Sequence, residues 1–426
     1  MISVFIRKAG VPLASVVLVL VAASLTASEV RAGKLADVFT SGELSGLDLG
    51  PLGPALANTV ASTYPVASAS SSVTYGFNPK TETFERQTRV LGPIVGERAE
   101  TIGKGQINIS ASYSFVDVST INGDDLGNLV NRPSIKGQVV SFRVPGGVTL
   151  ADGRWTNYLP VQVHANIDID VEADIGTPSI TYGVTPDLDL NVSLPIIKTF
   201  LGVKVNEVVP DPRLPQFMLR DCSPTLPADD PNACQPNEIR PTTGNRQAYA
   251  RSTGFGDLLL RAKYVVLREQ PVDLAAALGV SFPSGDQDDF HGTGEYRVQP
   301  GLIVSRVVAE RFQPLLNVGV DLNTGDVGRS VLRWAVGSTA TVAGPLTAAV
   351  VFLGRNEFSA QADKITTPFF FQIERNDIYD ASVGLRWLFA ESGVISANVI
   401  VPLNRDGLRA DVIPTVEVEY AFSSPL

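Results

Sequence analysis

Charged side chains that could bind or select a small molecule stand mainly at alternate positions within apolar segments of this chain. Acids and bases on one face of a strand either pair with each other or form a polar path whose charges select solutes. Both roles stay open from the sequence. The eleven candidate residues are Asp168, Asp170, Glu172, Asp189, Arg261, Lys263, Arg297, Arg333, Arg386, Glu417 and Glu419.

Residues for enzymatic or metal chemistry are scarce. The chain contains two His and two Cys, which is too few for a His- or Cys-rich zinc site. Neither His164 nor His291 stands in a recognisable nucleophile motif, which a hydrolase would need. We therefore predict a protein that is not an enzyme, with no catalytic residue, no metal site and no cofactor.

Loop 283–294 contains several closely spaced carboxylates that could bind a calcium ion. It contains Asp286, Asp288 and Asp289, but Phe290 occupies the third ligand position of the calcium-hand pattern. A turn built on Asp and Gly is the alternative. Calcium binding in this loop stays open.

The composition excludes two classes of protein. The chain has 426 residues, of which 44% are hydrophobic, and a formal net charge of −10. Disorder is improbable at this apolar content, and an acidic balance argues against a nucleic-acid partner.

The N-terminus predicts export. Arg7 and Lys8 precede an apolar stretch that ends in small residues near Ala27, the layout of a signal peptide over residues 1–27. A permanent helical anchor is the alternative. In an exported chain we expect a disulfide between Cys222 and Cys234, with two free thiols as the alternative.

Strict alternation of apolar and polar residues begins at 105 and continues to 422. The clearest segment is 161–174, where every odd position is apolar and every even position is polar, so we expect a strand with two different faces. The alternation changes phase near 174–178, which predicts a bulge in one long strand or, less favoured, a turn between two strands. Twelve strands follow from the pattern, with 14 if this turn and a strand near 138–144 are added.

The connections between these strands alternate in length, for example three residues at 185–187 and about fifty at 200–252. Short turns at one end and long loops at the other are typical of outer-membrane barrels. We therefore predict an all-β, antiparallel up-and-down transmembrane barrel over 105–422, in the outer membrane of a Gram-negative-type bacterium. A soluble β-sandwich is the alternative.

Residues 28–104 precede the barrel and are rich in Ala, Ser, Gly and Pro. One hypothesis is that this segment folds into the barrel and constricts it, with Arg98 or Lys104 pairing acids of the lumen. A flexible periplasmic extension is equally compatible with the sequence.

Several motifs resemble the outer-membrane transporter-like family of putative meta-pathway of phenol degradation proteins. They are Gly-Pro-x-x-x-Glu-Arg-Ala at 92–99, Tyr-Gly-Val-Thr at 182–185, Gly-Asp-x-x-Leu-Arg-Ala-Lys-Tyr at 256–264 and Pro-Ser-Gly-Asp at 283–286. The resemblance covers most of the chain after residue 70. It implies an outer-membrane β-barrel and an association with aromatic compounds, and it supplies no catalytic residue.

We expect a channel in the lipid bilayer for passive uptake of small molecules, with aromatic or hydrophobic compounds as the permeants that the resemblance implies. The alternative is a non-conducting barrel that presents its long loops for adhesion or envelope structure. The sequence does not specify the cargo or the oligomeric state.

Overall fold

The computed structural model describes most of the chain after residue 89 and short parts before it. The described residues are 34–40, 75–78, 83–86, 90–128, 139–149, 155–210, 246–268, 271–359, 364–365, 371–372, 377–389 and 392–423. The predicted signal peptide, Cys222 and Cys234 lie outside these residues.

Twelve antiparallel strands close into a barrel, because the last strand pairs with the first from Thr415↔Ser114 to Ser423↔Gln106. The predicted count of twelve is therefore confirmed. The strands are β1 (Gln106–Ile121), β2 (Trp155–Gly183), β3 (Leu188–Ser193 and Ile196–Pro210), β4 (Arg246–Phe255 and Leu258–Leu267), β5 (Asp273–Phe282), β6 (Arg297–Ser305), β7 (Phe312–Asn323), β8 (Val331–Ala343), β9 (Leu346–Glu357), β10 (Ile378–Phe389), β11 (Gly393–Pro402) and β12 (Ile413–Ser423).

Smaller elements are additional to the twelve barrel strands. The strand expected near 138–144 is Val139–Thr149. It pairs with the first part of β2 and is not one of the twelve strands that close the barrel. Among the described residues, no helix is long and apolar enough to cross a membrane. The other strands are Tyr75–Asn78, Thr83–Arg86, Asp124–Asp125, Lys364–Ile365, Phe371–Gln372 and Leu408–Ala410, and the 3-10 helices are Leu35–Thr40, Leu126–Asn128 and Val327–Arg329.

The two ends of the barrel differ. Residues 184–187 form the short turn between β2 and β3, at the same end as the start of β1 and the close of β12. We call this the lower end, which faces the periplasm in outer-membrane barrels, and the opposite end the upper end.

The outer face of the barrel carries an apolar band. Ile180, Leu302, Val318, Val350 and Leu385 are between 42% and 54% exposed. A soluble monomer rarely exposes so much apolar surface, whereas a closed barrel with an apolar exterior satisfies its backbone hydrogen bonds within lipid. The protein is therefore a barrel of the outer membrane.

Aromatic pairs lie at both ends of the outer face, where rings with polar edges meet lipid headgroups. At the lower end the ring centroids of Trp387–Phe389 and of Tyr420–Phe422 are 6.3 Å apart, and at the upper end those of Phe282–Tyr296 and Trp334–Tyr379 are 5.8 and 6.1 Å apart.

The phase change in β2 marks a change of environment rather than a bulge. The pairing of β2 with β1 runs from Tyr182↔Ile107 to Val171↔Val118 without a register shift, so the same parity faces outward throughout. Ile180 is exposed on the outer face in the lower part of the strand, whereas Val171 is buried on the inner face in the upper part. The bulge prediction is wrong because the strand leaves the lipid near 175–178 and continues into water, where the apolar side must turn inward.

The upper part of the barrel consequently contains a hydrophobic core of its own. Val171 and Leu201 of the strands pack there with Leu35 and Phe39 of the N-terminal 3-10 helix and with Phe290 of loop 283–294, all fully buried.

Candidate functional site

Residues 90–104 pass through the interior of the barrel, and we call them the inner segment. Leu91, Ile94, Ala99 and Ile102 are buried, and the segment contacts inward-facing side chains from strands all around the wall. Of the two alternatives for residues 28–104, this part of the chain therefore lies in the lumen.

Arg386 of β10 binds the start of the inner segment. Its guanidinium donates to the carbonyl oxygens of Gly92 and Pro93 at 2.5 and 2.9 Å, and to Ser396 Oγ at 2.8 Å. The same group lies 2.5 Å from Glu417 and 3.7 Å from Glu419. Such a buried charge is tolerated because several acceptors and two carboxylates surround it.

Lys263 and Asp189 bind the end of the inner segment. Lys263 Nζ donates to the carbonyl oxygens of Glu100 and Arg98 at 2.7 and 3.4 Å. Asp189 accepts from the backbone N–H of Ile102 at 3.0 Å. The two side chains, one basic and one acidic, hold opposite polar groups of the same backbone.

Between these two anchors, acids of the inner segment contact the wall. Glu97 lies 2.7 Å from Arg261, and its backbone N–H and carbonyl both bond to the side-chain amide of Asn317 at 2.6 and 2.8 Å. Glu100 accepts from Gln313 at 2.6 Å and from Ser305 at 3.2 Å. The side-chain amide of Asn317 thus satisfies both the backbone N–H and the backbone carbonyl of Glu97, as a neighbouring β-strand would.

The hypothesis about the inner segment holds for Arg98, whose buried charge is attracted by the lumen acids Asp189 and Glu419, but not for Lys104. We expected Arg98 or Lys104 to pair lumen acids. Lys104 is exposed, and Arg98 is buried and donates to the carbonyl of Val90 at 3.3 Å. A close ion pair between the inner segment and the wall is formed by an acid of the segment, Glu97, with Arg261.

Eight of the eleven candidate residues face the interior. They are Asp189, Arg261, Lys263, Arg297, Arg333, Arg386, Glu417 and Glu419, which share their parity with buried neighbours on the same strands.

The other three, Asp168, Asp170 and Glu172, lie on the outer face of the upper part of β2. They share the parity of Ile180, and Asp168 is 3.4 Å from Lys204 of β3 on the same exterior. Their assignment to the lumen is corrected for the reason given above: outside the lipid, the acids of this strand face water.

A cavity of about 270 Å³ lies in the upper half of the interior, next to the inner segment. Val95, Gly96 and Glu97 of the inner segment line it. Its other polar lining includes Arg261, Gln299, Asn317, Asp321, Arg333, Arg355, Asp380 and Arg409. Its apolar lining includes Ile303, Leu353, Ile378, Ile400 and Ile413.

Two further ion-pair groups adjoin this cavity. Asp321 is shared by two bases, at 2.8 Å from Arg297 and 2.6 Å from Arg333. Arg409 pairs with Asp380. Arg355 and Asn317 were not among the eleven candidates, although the inward parity of β7 and β9 would have indicated both.

The wall beside the cavity is interrupted between β6 and β7. The ladder passes from Val298↔Leu322 directly to Gly301↔Gly319, and Pro300 has no N–H to donate. The outer-face residues Leu302, Val318 and Trp334 also line the cavity. The cavity therefore reaches the barrel wall at this interruption of the ladder.

Loop 283–294 covers the N-terminal 3-10 helix at the upper end. Lys34 pairs with Asp286 and with Asp289, the latter at 3.2 Å, and Asp289 also accepts from the backbone N–H of Leu35 at 3.1 Å. Two of the three carboxylates considered for calcium thus bind a lysine. Among the described residues, no group of His, Cys, Asp and Glu has the arrangement of a metal site.

Two pKa values in this loop are shifted. The hydrogen bond from Lys34 lowers the pKa of Asp286 and raises that of Lys34. Burial lowers the pKa of His291, because the protonated ring loses its hydration. The shifts of Asp286 and Lys34 favour the docked loop near neutral pH, where both groups are charged, whereas the shift of His291 opposes docking once the pH is low enough to protonate the ring.

Comparisons with known proteins give one family match and several solved structures of low sequence identity. Residues 237–401 match the family described as "Putative MetA-pathway of phenol degradation", which confirms the resemblance over that part of the chain. A search of curated proteins gives no match. An outer membrane channel from Pseudomonas putida F1 is 12% identical, with a TM-score of 0.45 and coverage of 78% of this chain and all (100%) of that chain.

Two other solved structures are similar at a lower level. A Pseudomonas aeruginosa FadL homologue is 10% identical, with a TM-score of 0.34 and coverage of 75% of this chain and 90% of that one. The Ralstonia pickettii toluene transporter TbuX is 10% identical, with a TM-score of 0.34 and coverage of 77% and 92%.

Proposed function

We propose that this barrel, whose residues 237–401 match the phenol-degradation family, is an outer-membrane channel for passive uptake of small, largely apolar molecules, aromatic compounds among them. The observation that carries the proposal is the cavity next to the inner segment. It combines polar groups with an apolar lining, as small-molecule sites do, and it reaches the wall at the gap between β6 and β7.

The gap supplies a route that a fully hydrogen-bonded wall would not. Without the ladder pairs at Pro300, the strands are joined there by the facing glycines Gly301 and Gly319. An apolar molecule that enters the lumen from above can reach the lipid through this region, since Leu302 and Val318 continue the cavity onto the outer face. Passage by this route leaves the anchors at Arg386 and Lys263 in place.

Solute entry into proteoliposomes tests the proposal. The full-length protein is compared with empty liposomes for swelling in sugars, amino acids and aromatic acids of similar size. We expect the aromatic solutes to enter faster than the sugars. If no solute enters while circular dichroism confirms the folded barrel, the channel proposal fails and the non-conducting barrel is favoured.

A cavity-filling variant assigns the flux to this cavity. A Cβ on Gly301 would lie 3.4 Å from the nearest atom, the carbonyl oxygen of Val318, so a larger side chain there is tolerated by the backbone and extends into the cavity. We expect Gly301→Leu to lower aromatic flux at least tenfold. The matched control is Ala276→Leu on β5, the ladder partner of Leu302, which places a leucine side chain on the lipid-facing side instead.

A further inference from the structure

We propose that the cavity recognises a compact organic monoanion, such as an aromatic monocarboxylate, through the paired guanidinium groups of Arg333 and Arg355. This inference rests on the proposed channel function and names the chemical class of one permeant. It goes beyond the apolar character of the lining, which by itself favours neutral molecules.

Arg333 and Arg355 are directly opposite each other on β8 and β9. Both have inward parity and both line the cavity. Like charges directly across a ladder destabilise a sheet, and the lipid-embedded wall offers no water on its other side. Two arginines in this position therefore need negative charge nearby, which Asp321 and Glu357 supply in part.

The charges around the cavity leave a surplus of one positive charge. Four arginines line it, Arg261, Arg333, Arg355 and Arg409, against three acids, Glu97, Asp321 and Asp380. Arg297 and Glu357, which also act on the charge of Arg355, add one charge of each sign. The surplus is local, because the whole chain carries a net charge of −10.

The acids at the cavity are already engaged by bases. Glu97 lies 2.7 Å from Arg261, Asp380 pairs with Arg409, and Asp321 is shared between Arg297 and Arg333. One carboxylate divided between two guanidinium groups leaves donors that a further carboxylate can accept. The planar fork of an arginine binds carboxylates in two parallel hydrogen bonds.

The size and lining of the cavity define the rest of the ligand. Its volume of about 270 Å³ is at the small end for ligand sites, which suits a single ring better than a long chain. Ile378, Ile400 and Leu353 supply apolar contacts, and Trp334 lies where the cavity meets the wall. A ring against these residues places its carboxylate within the arginine pair.

Three solutes of the same shape test the proposal without any substitution. Benzoate, benzyl alcohol and benzylammonium are titrated into the detergent-solubilised full-length protein by calorimetry. We expect benzoate to bind at least tenfold more tightly than benzyl alcohol, and benzylammonium most weakly. Equal binding of benzoate and benzyl alcohol overturns the anion site and leaves the channel proposal standing, whereas absence of aromatic flux in the liposome experiment overturns the channel itself.

Variants then assign the preference to the arginine pair. We expect Arg355→Gln and Arg333→Gln each to weaken benzoate binding at least tenfold and to leave benzyl alcohol within twofold. Arg355→Lys keeps the charge but not the fork, and we expect intermediate binding. The control is Arg268→Gln, since Arg268 pairs with Asp187 at the lower end. Unchanged benzoate binding in both glutamine variants contradicts the proposal.

Discussion

Lys263 and Asp189 are ladder partners on β4 and β3, yet each makes its shorter contact with the inner segment. Their charged atoms are 3.8 Å apart, whereas Lys263 lies 2.7 Å from the carbonyl of Glu100 and Asp189 lies 3.0 Å from the N–H of Ile102. The wall thus binds the inner segment by its backbone at this point, and the binding depends on both side chains being present.

Removal of Lys263 alone is expected to be costly. In Lys263→Met, Asp189 keeps its charge in a buried position and Glu100 loses a donor, so we expect the free energy of unfolding to fall by roughly 3 kcal/mol. Urea unfolding in lipid vesicles measures this.

The matched control for this substitution removes both charges. In the double variant Lys263→Met with Asp189→Leu no uncompensated charge remains, and the loss should be less than half that of the single variant. A double variant as unstable as Lys263→Met would contradict the role assigned to the pair.

Deletion of residues 34–95 is expected to raise single-channel conductance in planar bilayers. It removes the 3-10 helix under loop 283–294 and the part of the inner segment that Arg386 binds through Gly92 and Pro93. The barrel strands begin at Gln106 and remain complete. Unchanged conductance in a folded deletion variant would mean that these residues do not obstruct the lumen.

The alternation in the sequence predicts the barrel because the strands repeat one rule, apolar toward lipid and polar toward the lumen. The rule fails for Asp168, Asp170 and Glu172 because it depends on the solvent outside the wall, and β2 extends past the lipid. The phase change near 174–178 is the signal of such an extension. That stretch contains Gly176 and Pro178, residues common in bulges and turns, so the sequence pattern by itself favours a bulge.

The contacts of the inner segment were less predictable than the strands. Residues 90–104 have no period of two, so their faces cannot be assigned, and their partners come from strands far along the chain, such as Asn317 with Glu97. The family motifs indicate some of the residues involved, because Glu97 and Lys263 each stand within a motif. A motif does not specify which residues contact each other in the fold.

The docking of loop 283–294 on the N-terminal helix should weaken as the pH falls below about 6.5. His291 has a lowered pKa in the docked state, so the undocked loop takes up a proton first, and docking loses stability from the ordinary histidine value of about 6.5 downward. The pair of Asp286 and Lys34 persists in this window, because the lowered pKa of Asp286 and the raised pKa of Lys34 keep both charged between pH 5 and 7.5.

Hydrogen exchange of residues 34–40 and 286–291 at pH 7.5 and 5.5, corrected for intrinsic rates, measures the docking. We expect less protection at pH 5.5 in the wild-type chain and no pH effect in His291→Gln. His164→Gln removes the other histidine of the chain and should respond as the wild type does. A pH effect that persists in His291→Gln would assign it to another group.

Gly183→Ala is expected to displace the inner segment at the lower end of the barrel. A Cβ at Gly183 would lie 1.8 Å from the carbonyl oxygen of Gly103, and the backbone N–H of Gly105 donates to Gly183 at 2.8 Å. Because both partners are backbone, no side-chain rotation relieves the clash, and the inner segment must move away from β2.

We expect a loss of about 2 kcal/mol in the free energy of unfolding, in the range of overpacked cores, together with faster hydrogen exchange at residues 102–105. Gly301→Ala is the matched control, since its Cβ meets nothing closer than 3.4 Å. Equal stability of the two alanine variants would show that the inner segment does not lie against Gly183.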